Sequence, residues 1–271
     1  MRAEGNRPVV GGSLRHRGAE LVYDDPGRGP LAVYAHGGFV SQEVEDRMGL
    51  FDWAPVREAG QRLVRYDARG HGRSTGTLSD ADYTYASLAD DLLALLDHLG
   101  AAGPVGAMGA SMGCGTVLHA AVRAPERFSR LVLLIPPTAW ATRPAHARDN
   151  LEAADTVERE GAAAWLAAGD RRSRPAAVAG VPEFPPTPAE RVLPCVLRGL
   201  AQSDLPAPAD LVALDLPALV LAWADDPGHP VSSAEALVRA LPHADLYVAR
   251  TRADVHGWGA RVARFLARPE P

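Results

Sequence analysis

The 271-residue chain has little of what would mark several protein classes. No apolar run approaches the roughly 20 residues that a membrane-crossing helix needs, and the N-terminus has no charged segment leading into an apolar core. Neither a membrane partner nor a secretory signal is therefore expected. Two cysteines, Cys114 and Cys195, are too few for a disulfide scaffold and suit a reducing, cytoplasmic compartment. Lys and Arg number 28 against 33 Asp and Glu, a net charge of −5, and no basic block is long enough to serve a nucleic-acid partner. The short cluster Arg171-Arg172-Ser173-Arg174 reads as a solvated face. No cluster has metal-ligand spacing, and the glycine-rich segments lack a phosphate-loop lysine or a dinucleotide fingerprint, so no metal or other cofactor is expected. A small-molecule substrate is the partner class that fits, and a homodimer is compatible with the composition.

What is present is an alternating rhythm. Leu31 to Ala35, Leu63 to Tyr66, Pro104 to Met108, Leu131 to Ile135, Pro217 to Trp223 and Ala244 to Val248 read as short strands, several of them apolar throughout. Tyr85 to Leu99, with Leu88, Leu92, Leu95, Leu96 and Leu99 in one stripe, and Gly113 to Ala124 read as helices between them. This order predicts an α/β fold with a mostly parallel sheet covered on both faces, and ligand binding at the C-terminal strand edges. Val9 to Arg15 and Glu20 to Tyr23 suit antiparallel edge strands. From Pro136 to about Pro208 the rhythm breaks into helices, one or two over Asn150 to Ala168 and another over Val196 to Gln202. The chain length suits one catalytic domain: a core of residues 1–135 and 209–271 with a helical cap of residues 136–208.

The sharpest motif is Gly109-Ala110-Ser111-Met112-Gly113, set where a strand turns into a helix. A sharp turn there needs small residues two positions on either side of the serine, which the glycines supply. Ser111 is then a candidate nucleophile, and a hydroxyl nucleophile needs a base that is itself oriented by an acid. Asp225 and Asp226 compete for the acid, both at the tip of the apolar run Pro217 to Ala224. Among nine histidines, His256 stands out as the base because it follows the last strand. His229 sits too close to Asp226 in sequence to be preferred, and is assigned to the pocket wall. The backbone N–H groups of Gly38, after the strand ending in Ala35, and of Met112 form the candidate oxyanion hole. Phe39 is the alternative donor or a pocket-lining ring, and Trp140 and Trp258 are further candidate substrate contacts. Trp165, Phe184 and Leu197 could line the pocket from the cap. His36 is expected to bond loop backbone.

Together these motifs resemble the α/β-hydrolase family, in particular its small capped esterases, lactonases, proline-iminopeptidase-like and haloperoxidase-like members. Gly109 to Gly113 matches the nucleophile elbow, His36-Gly37-Gly38 the oxyanion loop, and Tyr66 to Ser74 a structural turn. The resemblance implies that the acid lies four residues before a proline, here Pro230, which selects Asp226. It also implies that the histidine of the final loop, His256, is the base. The chain departs from the family pattern at Cys114 and Trp223, where glycines are common; both are expected to be packing residues. A serine nucleophile argues against the aspartate-dependent dehalogenase and epoxide-hydrolase chemistries. The implied function is hydrolysis of a small ester or lactone through an acyl-enzyme. Short-peptide aminopeptidase, thioesterase and biosynthetic cyclase are the alternatives, and a non-catalytic receptor or scaffold is the non-enzymatic one. The aminopeptidase reading requires Glu152, Asp155, Glu158 or Glu160 to point inward and hold an ammonium group.

Overall fold

A computed structural model of the chain describes residues 10–169 and 174–268. Arg171, Arg172 and Ser173 of the basic cluster, and Val9 of the first expected strand, lie outside the described residues. Strands β1 (Val10–His16) and β2 (Ala19–Asp25) form an antiparallel edge hairpin. Then come β3 (Leu31–Ala35), helices α1 (Gln42–Met48) and α2 (Ala54–Glu58), β4 (Arg62–Tyr66) and α3 (Tyr85–His98). Next are β5 (Val105–Ala110), α4 (Met112–Arg123) and β6 (Phe128–Leu134). The order of the eight-stranded sheet is β1-β2-β4-β3-β5-β6, continued by β7 (Ala218–Trp223) and β8 (Ala244–Ala249), and it is parallel from β4 onward.

The sheet has two covered faces because successive side chains of a strand point to opposite sides. Leu131 and Leu133 of β6, with Val220 and Ala222 of β7, face the layer that holds α3 and α4. Val132 and Leu134, with Leu219 and Leu221, face a second layer that includes Trp53, Val56 and Trp258. Strands buried on both sides have no polar face, which is why these runs read as continuously apolar.

The segment between β6 and β7 carries an inserted helical cap, α5 (Arg143–Glu160), α6 (Ala162–Gly169) and α7 (Leu193–Ala201), followed by α8 (Pro208–Val212), whose Leu211 packs in the core layer. Helix α5 begins seven residues earlier than the periodicity predicts, since Pro144 is tolerated in a first turn. Gly161, at φ 86°, separates it from α6. Ala154 and Val157 of α5 pack on Leu193 and Leu197 of α7 to give the cap its own small core. After β7 follow α9 (Val231–Ala240), β8, α10 (Arg252–His256) and α11 (Trp258–Leu266). Among the described residues no helix is long and apolar enough to cross a membrane.

Candidate active site

Sheet order reverses at β3, which lies between β4 and β5, and such a switch opens a crevice at the strands' C-terminal ends. Ser111 sits on the turn from β5 into α4, with φ 49° and ψ −109°, a conformation that costs a non-glycine residue on the order of 1–3 kcal/mol. The flanking glycines make it possible. A Cβ on Gly109 would lie 2.2 Å from the Gly113 carbonyl oxygen, and one on Gly113 would lie 2.1 Å from that of Ala35. Cys114, one residue on, is buried and directs its Sγ at the Gly109 and Leu134 carbonyls, each at 3.1 Å. Burial pushes its thiol pKa far up, so it is a packing residue.

The Ser111 Oγ lies 2.7 Å from His229 Nε2, and His229 Nδ1 lies 2.8 Å from Asp226 Oδ2. An ionised carboxylate can only accept, so Nδ1 carries the proton and Nε2 offers its lone pair to the serine hydroxyl. Asp226 also accepts the Trp223 indole N–H at 2.7 Å and the Gly228 N–H at 2.9 Å. Partial burial works against its charge. The hydrogen bond and positive field of His229, the indole and the Gly228 N–H outweigh that cost and hold the carboxyl well below the usual carboxylate range. Asp225, its rival in sequence, is exposed and takes a turn conformation with φ 64°.

The sequence expectation for the base is therefore corrected: His229, and not His256, meets Ser111. The chain does not continue from β8 into an open loop. Thr251 caps α10 at once, its Oγ1 accepting from the Asp254 N–H at 3.2 Å while Asp254 Oδ2 accepts from the Thr251 N–H at 2.9 Å. Val255 then points into the core, and the next residue on a helix is turned by about 100°, which carries His256 into solvent. Proximity in sequence did not disqualify His229. The Asp226-Pro227-Gly228-His229 turn, closed by the His229 N–H on the Asp226 carbonyl at 3.2 Å, folds the ring back over its own acid.

Two aromatic expectations are likewise revised. Trp258 is fully buried and stacks on Phe51 and Trp223, with ring centroids 5.8 and 6.1 Å apart, so it is core. Trp140 is tied to the cap base by its indole N–H on the Pro206 carbonyl at 3.1 Å and does not line the cavity. Nor do Trp165, Leu197 or Phe184: Trp165 packs on Phe39, Leu197 belongs to the cap core, and Phe184 lies under the Arg47 guanidinium. Trp223 packs as expected but also donates to the Asp226 carboxylate, a contact that its position three residues before Asp226 could have suggested.

A cavity of about 160 Å³ opens beside Ser111, walled by Gly38, Phe39, Met112 and His229 from the core and by Arg143, His146, Asn150 and Leu200 from the cap. Arg143, His146 and Asn150 lie on one face of α5 at spacings of three and four. No sequence signal separated this polar stripe from an ordinary solvated face. Met112 opens α4, where the first N–H groups of a helix lack internal partners. Among the described residues neither its N–H nor that of Gly38 donates a backbone hydrogen bond outside regular elements. His36 holds the Gly38 loop as expected: Nδ1 donates to the Gly37 carbonyl at 2.7 Å and Nε2 accepts the Ala68 N–H at 2.9 Å. Burial lowers its pKa and keeps it neutral.

Residues 36–168 match the family model described as alpha/beta hydrolase fold. The provisionally named carbamate hydrolase RutD of Caulobacter sp. is 30% identical over 224 residues, 76% of this chain and 77% of its own. A 3-oxoadipate enol-lactonase of Acinetobacter baylyi is 28% identical over 194 residues, 69% of each chain. A solved hydrolase structure from Pseudomonas aeruginosa superposes with a TM-score of 0.76 at 25% identity, covering 95% of this chain and 98% of that one. With a strained elbow serine, a matching sheet and cap, and these relatives, the chain belongs to the α/β-hydrolase family of enzymes.

Proposed function

We propose that the protein is a serine hydrolase that cleaves small carboxylic esters or lactones through an acyl-enzyme. The observation that carries this reading is the unbroken hydrogen-bonded series Ser111, His229, Asp226 at the mouth of a small cavity. His229 Nε2 takes the serine proton as Oγ attacks the carbonyl carbon, and Asp226 stabilises the imidazolium. The Gly38 and Met112 N–H groups receive the oxyanion, each worth roughly 3 kcal/mol in the transition state. The imidazolium then protonates the leaving alkoxide. In the second half His229 activates a water that releases the acyl group. The cap, residues 136–208 in this reading, roofs the site and limits water and substrate size.

The names borne by the relatives, a carbamate hydrolase and an enol-lactonase, fall within the same class of carbonyl chemistry. The aminopeptidase alternative finds no support. Glu152, Asp155, Glu158 and Glu160 are all exposed, with Asp155 and Glu158 paired to Arg198, so none is available inside the cavity for a substrate ammonium.

Labelling with a serine-reactive phosphonate tests the reading. The wild-type protein should take up one label, on Ser111, and Ser111→Ala should keep its circular dichroism spectrum and take up none. Equal labelling of the two would remove Ser111 from the mechanism.

A further inference from the structure

The cavity wall holds a charge that the acyl-transfer steps do not use. Arg143, at the start of α5, is 5% exposed and lines the cavity with Ser111 and His229. Its guanidinium bonds uncharged acceptors: Nε donates to the Ser203 carbonyl at 2.7 Å, Nη2 to the Leu200 carbonyl, and Nη1 to Thr138 Oγ1 at 3.3 Å. Tyr85 stands beside it, ring centroid 5.5 Å from Cζ and hydroxyl within hydrogen-bonding reach of the guanidinium, and burial raises the phenol's pKa, so it supplies no counter-charge. Asp204 carries a charge felt at Tyr85 but makes no ion pair with Arg143, its carboxylate accepting the backbone N–H groups of Trp140 and Leu205. Among the described residues no carboxylate forms an ion pair with Arg143.

A buried cation without a counter-ion is costly unless something else neutralises it. Arg143 has five N–H donors, and its three bonds leave one on each terminal nitrogen, beside the Tyr85 hydroxyl and able to donate to a carboxylate. Asn150, two turns along the same helix face and 8% exposed, adds an amide without a protein hydrogen-bond partner among the described residues. The cavity, about 160 Å³, is close to the size of one that admits a benzene-sized molecule of about six heavy atoms. That leaves room for a short chain between two polar ends, one at Ser111 and one at Arg143.

We infer that Arg143 receives a carboxylate of the substrate, so that the enzyme selects short esters or lactones that carry a second, ionised carboxyl group. The inference rests on the acyl-transfer reading of Ser111, His229 and Asp226. Arg143 binds and takes no part in proton transfer. Its bonds to the Leu200 carbonyl in the last turn of α7 and to the Ser203 carbonyl just beyond it fix the guanidinium in place before substrate arrives.

The test compares monomethyl with dimethyl esters of three- to six-carbon dicarboxylic acids, and carboxymethyl with methyl esters of matching acyl groups. The two series place the carboxylate on the acyl or on the alcohol side. The wild-type kcat/KM should favour the anionic member of at least one series by roughly ten-fold or more, as a charge-assisted hydrogen bond implies. Free glutarate should compete and its diamide should not. Arg143→Gln should lower kcat/KM for the anionic ester roughly ten-fold more than for the neutral one, with Arg143→Lys between. A wild-type preference for neutral esters in both series, or an equal loss on both ester types in Arg143→Gln, would overturn the inference. Should Arg143→Gln not fold, the wild-type preference, glutarate competition and Arg143→Lys decide. Neutral esters turned over without anionic preference defeat this inference alone. No turnover together with no phosphonate label on Ser111 defeats the acyl-transfer reading beneath it.

Discussion

The Trp223 indole N–H donates to Asp226 Oδ2 at 2.7 Å, the same oxygen that accepts His229 Nδ1 at 2.8 Å. One carboxylate oxygen is thus held from the strand side while it holds the imidazole. Because Trp223 is a buried residue of β7 and also stacks on Trp258, the Asp226 carboxylate is anchored to the core rather than to a loop alone.

Trp223→Phe keeps an aromatic ring and deletes the donor. A hydrogen bond to a charged group is worth about 1.5–3 kcal/mol, so kcat should fall by roughly ten-fold or more while KM for a neutral ester changes little. Steady-state kinetics on a short-chain ester reads both terms. A rise in KM at constant kcat would assign Trp223 to substrate binding instead.

Gly113→Ala should destabilise the fold by about 2–3 kcal/mol, because its Cβ would meet the Ala35 carbonyl oxygen at 2.1 Å and β3 cannot move without breaking its pairing with β5. Gly103→Ala is the control: its Cβ would meet nothing within 4 Å, and the change should stay within about 0.5 kcal/mol. Urea unfolding midpoints of the two variants measure the difference.

Glu45 gives the fold a pH dependence of defined sign. Burial pushes its carboxyl up to about 7, opposed by the Arg65 charge and by the Tyr34 hydroxyl on Oε1 at 2.8 Å, while Oε2 has no hydrogen-bond partner. The folded state therefore holds a proton that the unfolded chain has released between the ordinary carboxylate range and pH 7. Stability from this group falls as pH rises through that window. Glu45→Gln should match the wild type near pH 5 and exceed it near pH 8 by on the order of 2 kcal/mol. Denaturation at both pH values checks it; an advantage at pH 5 that vanishes at pH 8 would reverse the sign.

The fold was legible because its signals are local. Strands buried on both faces, the leucine stripe of α3 and the two glycines around Ser111 each follow from contacts that the residue types themselves require. Asp226 was legible only with the family's spacing to Pro230, since nothing local separates it from Asp225. The partner of Ser111 was misread because a histidine's reach depends on how its segment folds. Thr251-Arg252-Ala253-Asp254 is a capping box directly after β8, and it announces a helix where an open loop was expected. Asp226-Pro227-Gly228-His229 is a tight turn that can fold its histidine onto its aspartate. The polar stripe of α5 was invisible for another reason: Arg143, His146 and Asn150 become a pocket wall only when α5 lies across the β3–β5 crevice.

The central claim is that the imidazole of His229 serves Ser111, and it is tested most directly by comparing His229→Ala with His256→Ala. Both proteins should keep the wild-type unfolding free energy to within about 1 kcal/mol, and kcat/KM on a short-chain ester is then measured together with the rate of phosphonate labelling at Ser111. His229→Ala should lose roughly a thousand-fold or more in kcat and label far more slowly, while His256→Ala stays within about two-fold of wild type in both. Full activity in His229→Ala with loss in His256→Ala would contradict the account and return the base to the segment after β8.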